Sequence, residues 1–93
     1  MINQEIRNRI KLSVAAYAYE FVGDSIMSDH EYDELSRKIN PNEETGNEMM
    51  DKFFKTQFQP DTGMWVRWHP EVKKLEYLYK KYYILWFTDL QLP

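Results

Sequence analysis

The clearest structural signal in the sequence is a helix start at Ser28. Ser28 and Glu31 fit the capping-box pattern S-x-x-E, in which each side chain binds the backbone N–H of the other residue. Met27 just before the cap and Tyr32 just inside the helix have the spacing of a hydrophobic staple. Because Pro41 disfavours helical geometry at the preceding residue, Asn40, we expect this helix to end near Ile39. The pattern therefore predicts a helix with both ends defined.

The first helix is predicted from the spacing of apolar residues. They recur every three or four positions from Ile2 to Phe21, which is typical of one apolar face of an amphipathic helix. The predicted helix covers roughly residues 3–21. We expect Gly23 to end it in the left-handed conformation that glycine adopts readily.

Two further helices are predicted in the second half of the chain. A second capping-box pattern starts at Thr45 and precedes apolar residues at helical spacing, which predicts a helix over about residues 46–58. Pro70 suits the first position of a helix, so a fourth helix is predicted from about residue 70 to the mid-80s. The sequence therefore predicts an all-α fold, a compact bundle of about four helices.

The length of the chain predicts one domain over residues 1–93. Within it, residues 1–40 are expected to form a helical hairpin. Residues 44–87 are expected to form two further helices with a short Trp-rich connection, and residues 88–93 a loose tail. The connection, residues 64–68, is β-prone, and we expect an extended segment or a loop that plugs the core.

The composition excludes several kinds of site. The chain has no cysteine, so it can form neither a disulfide nor a thiolate zinc site. Its two histidines lack the spacing of a paired metal-ligand motif, and no metal site is expected. The longest apolar run, residues 82–87, is far shorter than the roughly 20 residues of a membrane span, and the charged N-terminus does not fit a signal peptide. We therefore expect a cytoplasmic protein without a membrane segment.

Charge is distributed unevenly along the chain, although the net charge is only −3. Residues 20–51 contain ten acidic and two basic side chains, whereas residues 52–83 contain seven basic and three acidic ones. Such asymmetry steers association with partners more than it determines a fold. Basic and aromatic residues are interleaved in the second segment, as in proteins that bind single-stranded nucleic acids. Because the protein is acidic overall, we nevertheless do not expect appreciable nucleic-acid affinity at physiological salt.

Residues 19–35 also carry a set of fixed spacings. Tyr19 near the end of the first helix is followed, after a loop, by S-D-H-E-Y-D-E-L at residues 28–35. These spacings resemble those of the N-terminal Ia domain of bacterial NAD-dependent DNA ligases, over about residues 5–39. In that family the domain closes over the nicotinamide mononucleotide (NMN) half of NAD. The resemblance implies a helical hairpin and four side chains that contact the mononucleotide: Tyr19, Asp29, Tyr32 and Asp33.

The chain departs from the ligases in two respects. It contains no K-x-D-G motif, which carries the ligase nucleophile. The resemblance therefore implies a non-enzymatic, stand-alone protein similar to the small ligase-like proteins encoded by tailed phages. The ligases also usually carry His directly after the first tyrosine, whereas this chain carries Glu20. An ionised carboxylate repels a phosphate and cannot donate a hydrogen bond.

The leading functional prediction is a non-enzymatic phage accessory protein that binds a host or phage protein. The partner would be host ligase or another replication or defence factor, and the candidate acidic and aromatic surface comprises Glu31, Glu34, Trp65 and Trp68. The first alternative is a module that binds NMN or NAD through the four ligase-like positions, with no other cofactor. Weak nucleic-acid binding and self-association through residues 82–87 are further alternatives. The motif residues also have a purely structural explanation, as helix cap, staple and solvated face.

Overall fold

The chain folds into helices joined by turns. The computed structural model describes residues 3–88, and within that range it contains four α-helices and no strand. The predicted all-α fold with about four helices is therefore confirmed. The helices are Gln4–Tyr17 (α1), Asp29–Lys38 (α2), Glu48–Thr56 (α3) and Val72–Thr88 (α4).

The end of α1 differs from a regular helix end. A π-helical turn, Ala18–Val22, follows the helix, and Gly23 then adopts the left-handed conformation at φ 77°. The predicted Gly23 cap is confirmed. A π-helical turn closes its hydrogen bonds over one residue more than an α-helix does, so the residues in it leave the predicted face. Phe21, which was predicted on the apolar face, is accordingly 50% exposed.

The start of α2 follows the sequence prediction closely. The Ser28 hydroxyl oxygen accepts a hydrogen bond from the Glu31 N–H (3.1 Å), and the Glu31 carboxylate accepts one from the Ser28 N–H (3.3 Å). The capping box is therefore confirmed. The helix ends at Lys38 with Ile39 as its C-terminal cap, which also agrees with the prediction.

The start of α3 corrects a prediction. Thr45 does not cap the helix; the side chain of Asn47 does, by accepting a hydrogen bond from the Met50 N–H (3.2 Å). Thr45 instead donates its N–H and its hydroxyl to the carboxylate of Asp51, at 2.8 and 2.7 Å. Asparagine is among the best N-cap residues and lies directly before the helix. As a result α3 begins two residues later than predicted and ends at Thr56.

The Trp-rich connection forms a 3₁₀-helix, Met64–Trp68, and is not extended. Each of its hydrogen bonds joins an N–H to the carbonyl oxygen three residues earlier. The Val66 N–H donates to the Gly63 carbonyl (3.1 Å), and the His69 N–H donates to the Val66 carbonyl (3.0 Å). Trp65 is only 3% exposed and packs among phenylalanine rings of the core. The expectation that this segment plugs the core is therefore correct, whereas the extended conformation is wrong.

A buried arginine fixes the loop before α3 and α3 itself on α1. Arg9 forms ion pairs with Glu5 (2.7 Å) and Asp51 (2.8 Å). It also donates hydrogen bonds to the backbone carbonyls of Asn40 (2.8 Å) and Glu43 (3.0 Å). The apolar core beside it contains side chains from three elements of the fold: Leu12, Val14, Phe54 and Val66.

The fourth helix begins at Val72, two residues after the predicted start, because Pro70 and Glu71 form a turn in front of it. The predictions for the aromatic side chains of residues 82–87 and for residues 89–93 of the predicted tail lie outside what the structure describes. No helix within residues 3–88 has both the length and the apolar character needed to cross a membrane.

Candidate ligand-binding site

A cleft of about 380 Å³ lies where the end of α1 meets the start of α2. Small residues of α1, Ala15 and Ala16, line one side of it, and the π-helical turn extends that side. The first two turns of α2 line another side, and the loop at residues 25–27 lies between them. The turn at residues 61–63, just before the 3₁₀-helix, completes the lining. Both halves of the chain therefore contribute to this cleft.

All four positions identified by the resemblance line this one cleft. Tyr19 comes from the π-helical turn, while Asp29, Tyr32 and Asp33 come from α2. The left-handed Gly23 contributes to this convergence, because it ends the first helical segment and lets the chain enter the loop before α2. The Tyr19 side chain is 63% exposed, so much of its surface remains open to solvent.

Tyr32 forms a fixed part of the wall. Its hydroxyl donates a hydrogen bond to the backbone carbonyl of Thr62 (2.7 Å), and the indole Nε1–H of Trp65 donates to the same oxygen (2.7 Å). Burial raises the pKa of the Tyr32 phenol well above its ordinary value. Tyr32 and Met27, the predicted staple pair, are partly buried and both pack against the core. The Tyr32 ring is therefore held in place before any ligand arrives.

The lining is rich in carboxylates. Four acidic side chains line the cleft: Glu20, Asp29, Asp33 and Asp61. The lining residues that the structure describes include no lysine or arginine. Two of these carboxylates have an arginine beside them. The Arg67 guanidinium lies 3.0 Å from Glu20, and that of Arg37 lies 3.4 Å from Asp61. Within the described chain, Asp29 and Asp33 form no ion pair.

Only three of the four residues predicted for a partner surface are exposed to solvent. Trp68 is 64% exposed, and Glu31 and Glu34 are exposed on α2. Trp65 is buried, so its assignment to a partner surface is wrong. The 3₁₀-helix turns Trp65 inward, where its indole N–H finds a carbonyl acceptor in Thr62.

Sequence reasoning assigned Trp68 to a partner surface but missed the rest of an exposed apolar patch beside the cleft. Two residues of the π-helical turn, Phe21 (50%) and Val22 (49%), and two of the 3₁₀-helix, Met64 (54%) and Trp68 (64%), are exposed. The two turns contact each other. No short-range signal marks this patch, because both turns are irregular and apolar residues in them resemble core residues.

A second cavity, of about 200 Å³, lies between α1, α3 and α4 and contains none of the predicted site residues. His69 at its wall is 7% exposed, and burial lowers the pKa of the imidazole to about 4. The Nδ1 atom of His69 accepts a hydrogen bond from the Glu71 N–H (3.0 Å). In the neutral ring the proton therefore resides on Nε2.

Among the residues that the structure describes, no three His, Asp or Glu side chains are grouped so that they could hold a metal ion. Comparison with models of protein families, with curated protein sequences and with solved structures returned no match. A functional proposal therefore rests on the geometry of the cleft and on the sequence resemblance.

Proposed function

We propose that this protein is a non-catalytic binding module whose cleft holds the NMN part of a pyridine nucleotide. The observation that carries the proposal is the convergence of Tyr19, Asp29, Tyr32 and Asp33 on one cleft. The resemblance to ligase domain Ia implies the same four positions for this ligand. If these four residues served only as helix cap, staple or solvated residue, no open cleft between their side chains would be required.

The chemistry of the lining suits a nicotinamide ring. In NMN this ring is a planar pyridinium cation. Cations are attracted to the faces of tyrosine rings, and Tyr19 and Tyr32 both border the cleft. Ionised carboxylates such as Asp29 and Asp33 can attract the same charge and accept hydrogen bonds from ribose hydroxyls. The cleft volume of about 380 Å³ lies in the range of small-molecule sites.

The proposal includes no chemical step. The sequence has no K-x-D-G motif, and the resemblance covers only the ligase domain that closes over the mononucleotide. A module of this kind would bind, sense or sequester the nucleotide. If it is phage-encoded, as the resemblance implies, it would act in the cytoplasm of the host.

Titration of the isotopically labelled protein with NMN, NAD and AMP, followed by NMR, tests the proposal. We expect NMN and NAD to shift the amide signals of residues 19–20, 28–33 and 61–63, because these segments line the cleft. AMP should leave them unchanged, since it lacks the nicotinamide half. The absence of shifts at millimolar NMN and NAD would overturn the proposal.

A matched pair of variants on one helix turn strengthens the test. Asp33→Asn removes a lining carboxylate, whereas Glu34→Gln makes the same chemical change on an exposed neighbour outside the cleft. We expect Asp33→Asn to weaken NMN binding and Glu34→Gln to preserve it. Equal effects of the two substitutions would indicate an unspecific charge effect.

A second candidate function is docking of a protein partner on the exposed apolar patch. The observation that favours it is the contact between the two turns that carry Phe21, Val22, Met64 and Trp68. Large exposed apolar patches mark interaction sites in many proteins. The partner would be host ligase or another replication or defence factor.

Affinity capture from host lysate tests this docking function. The double variant Phe21→Ser with Trp68→Ser should lose a specific partner while it retains NMN binding. Tyr77→Ser provides the control, because Tyr77 is 55% exposed on α4, away from both turns in the sequence. If no specific protein is captured by the unmodified chain, the docking function is excluded.

A further inference from the structure

The charge of the cleft distinguishes between forms of the proposed ligand. Four carboxylates line the cleft, and the Tyr32 phenol beside them is uncharged at neutral pH. Burial raises the pKa of Tyr32, so its phenol stays protonated. The lining side chains described there therefore supply negative charge only.

The nearby arginines only partly offset this charge. Arg67 lies against Glu20 and Arg37 lies against Asp61, so each guanidinium neutralises one carboxylate. In both pairs the arginine is more than half exposed, so much of its charge is screened by solvent. Asp29 and Asp33, which form no ion pair among the described residues, leave an excess of negative charge in the cleft.

The N-terminus of α2 does not reverse the sign of the cleft. A helix N-terminus attracts anions through its free N–H groups and its dipole. Here Asp29 and Glu31 occupy the first turn, and the Glu31 N–H is already bound by the Ser28 hydroxyl. The carboxylates of the first turn already interact favourably with the helix dipole. A phosphate at this position would lie beside them.

We infer that the cleft selects pyridinium ligands without a phosphate, so that nicotinamide riboside binds more tightly than NMN. This inference rests on the proposed function and specifies the form of its ligand. Nicotinamide riboside carries only the positive ring charge, whereas NMN adds an anionic phosphate. Glu20, which stands where the ligases usually carry His, acts in the same direction. Because like charges in a partly solvated site oppose binding, we expect a preference of about tenfold.

Four related probes separate the two charges of the ligand. Neutral nicotinamide and cationic 1-methylnicotinamide differ by one methyl group and the ring charge, and nicotinamide riboside and NMN differ in the phosphate. Dissociation constants from NMR titration should be lower for the cation in the first pair and for the riboside in the second. Both preferences should shrink as the salt concentration rises, because ions screen exposed charges.

Two substitutions with opposite effects test the role of the ion pair. Glu20→Gln removes a lining carboxylate and releases Arg67, so the preference for the riboside should fall towards unity. Arg67→Gln leaves Glu20 uncompensated, so the preference should increase. Glu34→Gln, which lies outside the cleft, should change neither ratio. Thermal unfolding of each variant establishes that the fold is retained.

The possible outcomes distinguish this inference from the proposed function. Binding of NMN that equals or exceeds that of the riboside would overturn the inference and leave the proposed function standing. Binding of neither pyridinium ligand would overturn both. Riboside preference that does not respond to Glu20→Gln or Arg67→Gln would also overturn the inference, because the selectivity would then have a source other than cleft charge.

Discussion

Arg9 and Asp51 lie 2.8 Å apart, from Nη1 to Oδ1, and join α1 to α3 across 42 residues of sequence. The Arg9 guanidinium also lies over the ring of Phe54, 4.9 Å from its centroid. Helix α3 has nine residues, which is too short for a stable isolated helix. Its position therefore depends on tertiary contacts of this kind.

Replacement of Arg9 by methionine should strongly destabilise the fold. The variant would leave Glu5 and Asp51 without their counter-ion, and loss of one partner of a buried ion pair costs about 3–5 kcal/mol. Urea denaturation measures the free energy of unfolding. Arg7→Met is the matched control, since Arg7 is exposed on the same helix and should change stability by no more than about 0.5 kcal/mol. Equal losses in the two variants would contradict the role assigned to Arg9.

The buried His69 predicts a loss of stability in mild acid. Its folded-state pKa is about 4, below the ordinary value of 6.5, so only the unfolded chain takes up this proton between these pH values. The stabilisation is complete above pH 6.5 and is lost as the pH falls towards 4. The free energy of unfolding should decrease by about 3 kcal/mol over this range. His69→Gln should remove this part of the pH dependence, and His30→Gln, on an exposed residue, should retain it.

Substitution by alanine should change the free energy of unfolding in opposite directions at two glycines. Gly23 has φ 77°, which strains any residue with a Cβ, so Gly23→Ala should destabilise by about 1–2 kcal/mol. Gly63 has φ −111°, and a Cβ there would lie 3.4 Å from the Tyr32 hydroxyl and 3.5 Å from the Ala16 Cβ. Gly63→Ala should therefore stabilise by up to about 1 kcal/mol. Thermal unfolding of both variants provides the comparison, and a loss in Gly63→Ala that matches Gly23→Ala would contradict this account.

Two substitutions of Tyr32 separate its hydroxyl from its ring. Tyr32→Phe removes one hydrogen bond to Thr62, which keeps the bond from Trp65, and should cost about 1 kcal/mol. Because the ring remains, NMN binding should be largely preserved. Tyr32→Ala also removes the packed ring, with a loss on the order of 1–4 kcal/mol, and should abolish binding. Calorimetric titration of the two folded variants tests this order, and equal affinities would exclude a role for the ring.

Local signals in the sequence predict a helix end correctly where only one residue can act as the cap. Ser28 and Gly23 are such positions, because the capping side chain and the left-handed glycine act within a few residues. The start of α3 was predicted wrongly because Thr45 and Asn47 can both cap a helix. Asp51 decides between them, because its carboxylate accepts hydrogen bonds from the N–H and the hydroxyl of Thr45.

Long-range and irregular features could not be predicted from short patterns. Arg9 resembles a solvated helix residue in the sequence, and its partners Asn40, Glu43 and Asp51 lie more than 30 residues away. The inward direction of Trp65 depends on a 3₁₀-helix that the β-prone composition does not indicate. Tyr19, Asp29, Tyr32 and Asp33, by contrast, are close in sequence, and the turn, loop and helix start that join them bring all four to one cleft.

The carbonyl oxygen of Thr62 accepts hydrogen bonds from Tyr32 at the cleft and from Trp65 in the core, both at 2.7 Å. A movement of the cleft wall would therefore change the electronic surroundings of a buried indole. If binding of the proposed ligand shifts this wall, Trp65 would act as an intrinsic optical probe of that binding. Its fluorescence, or the resonance of its indole proton, should report ligand binding without an attached label.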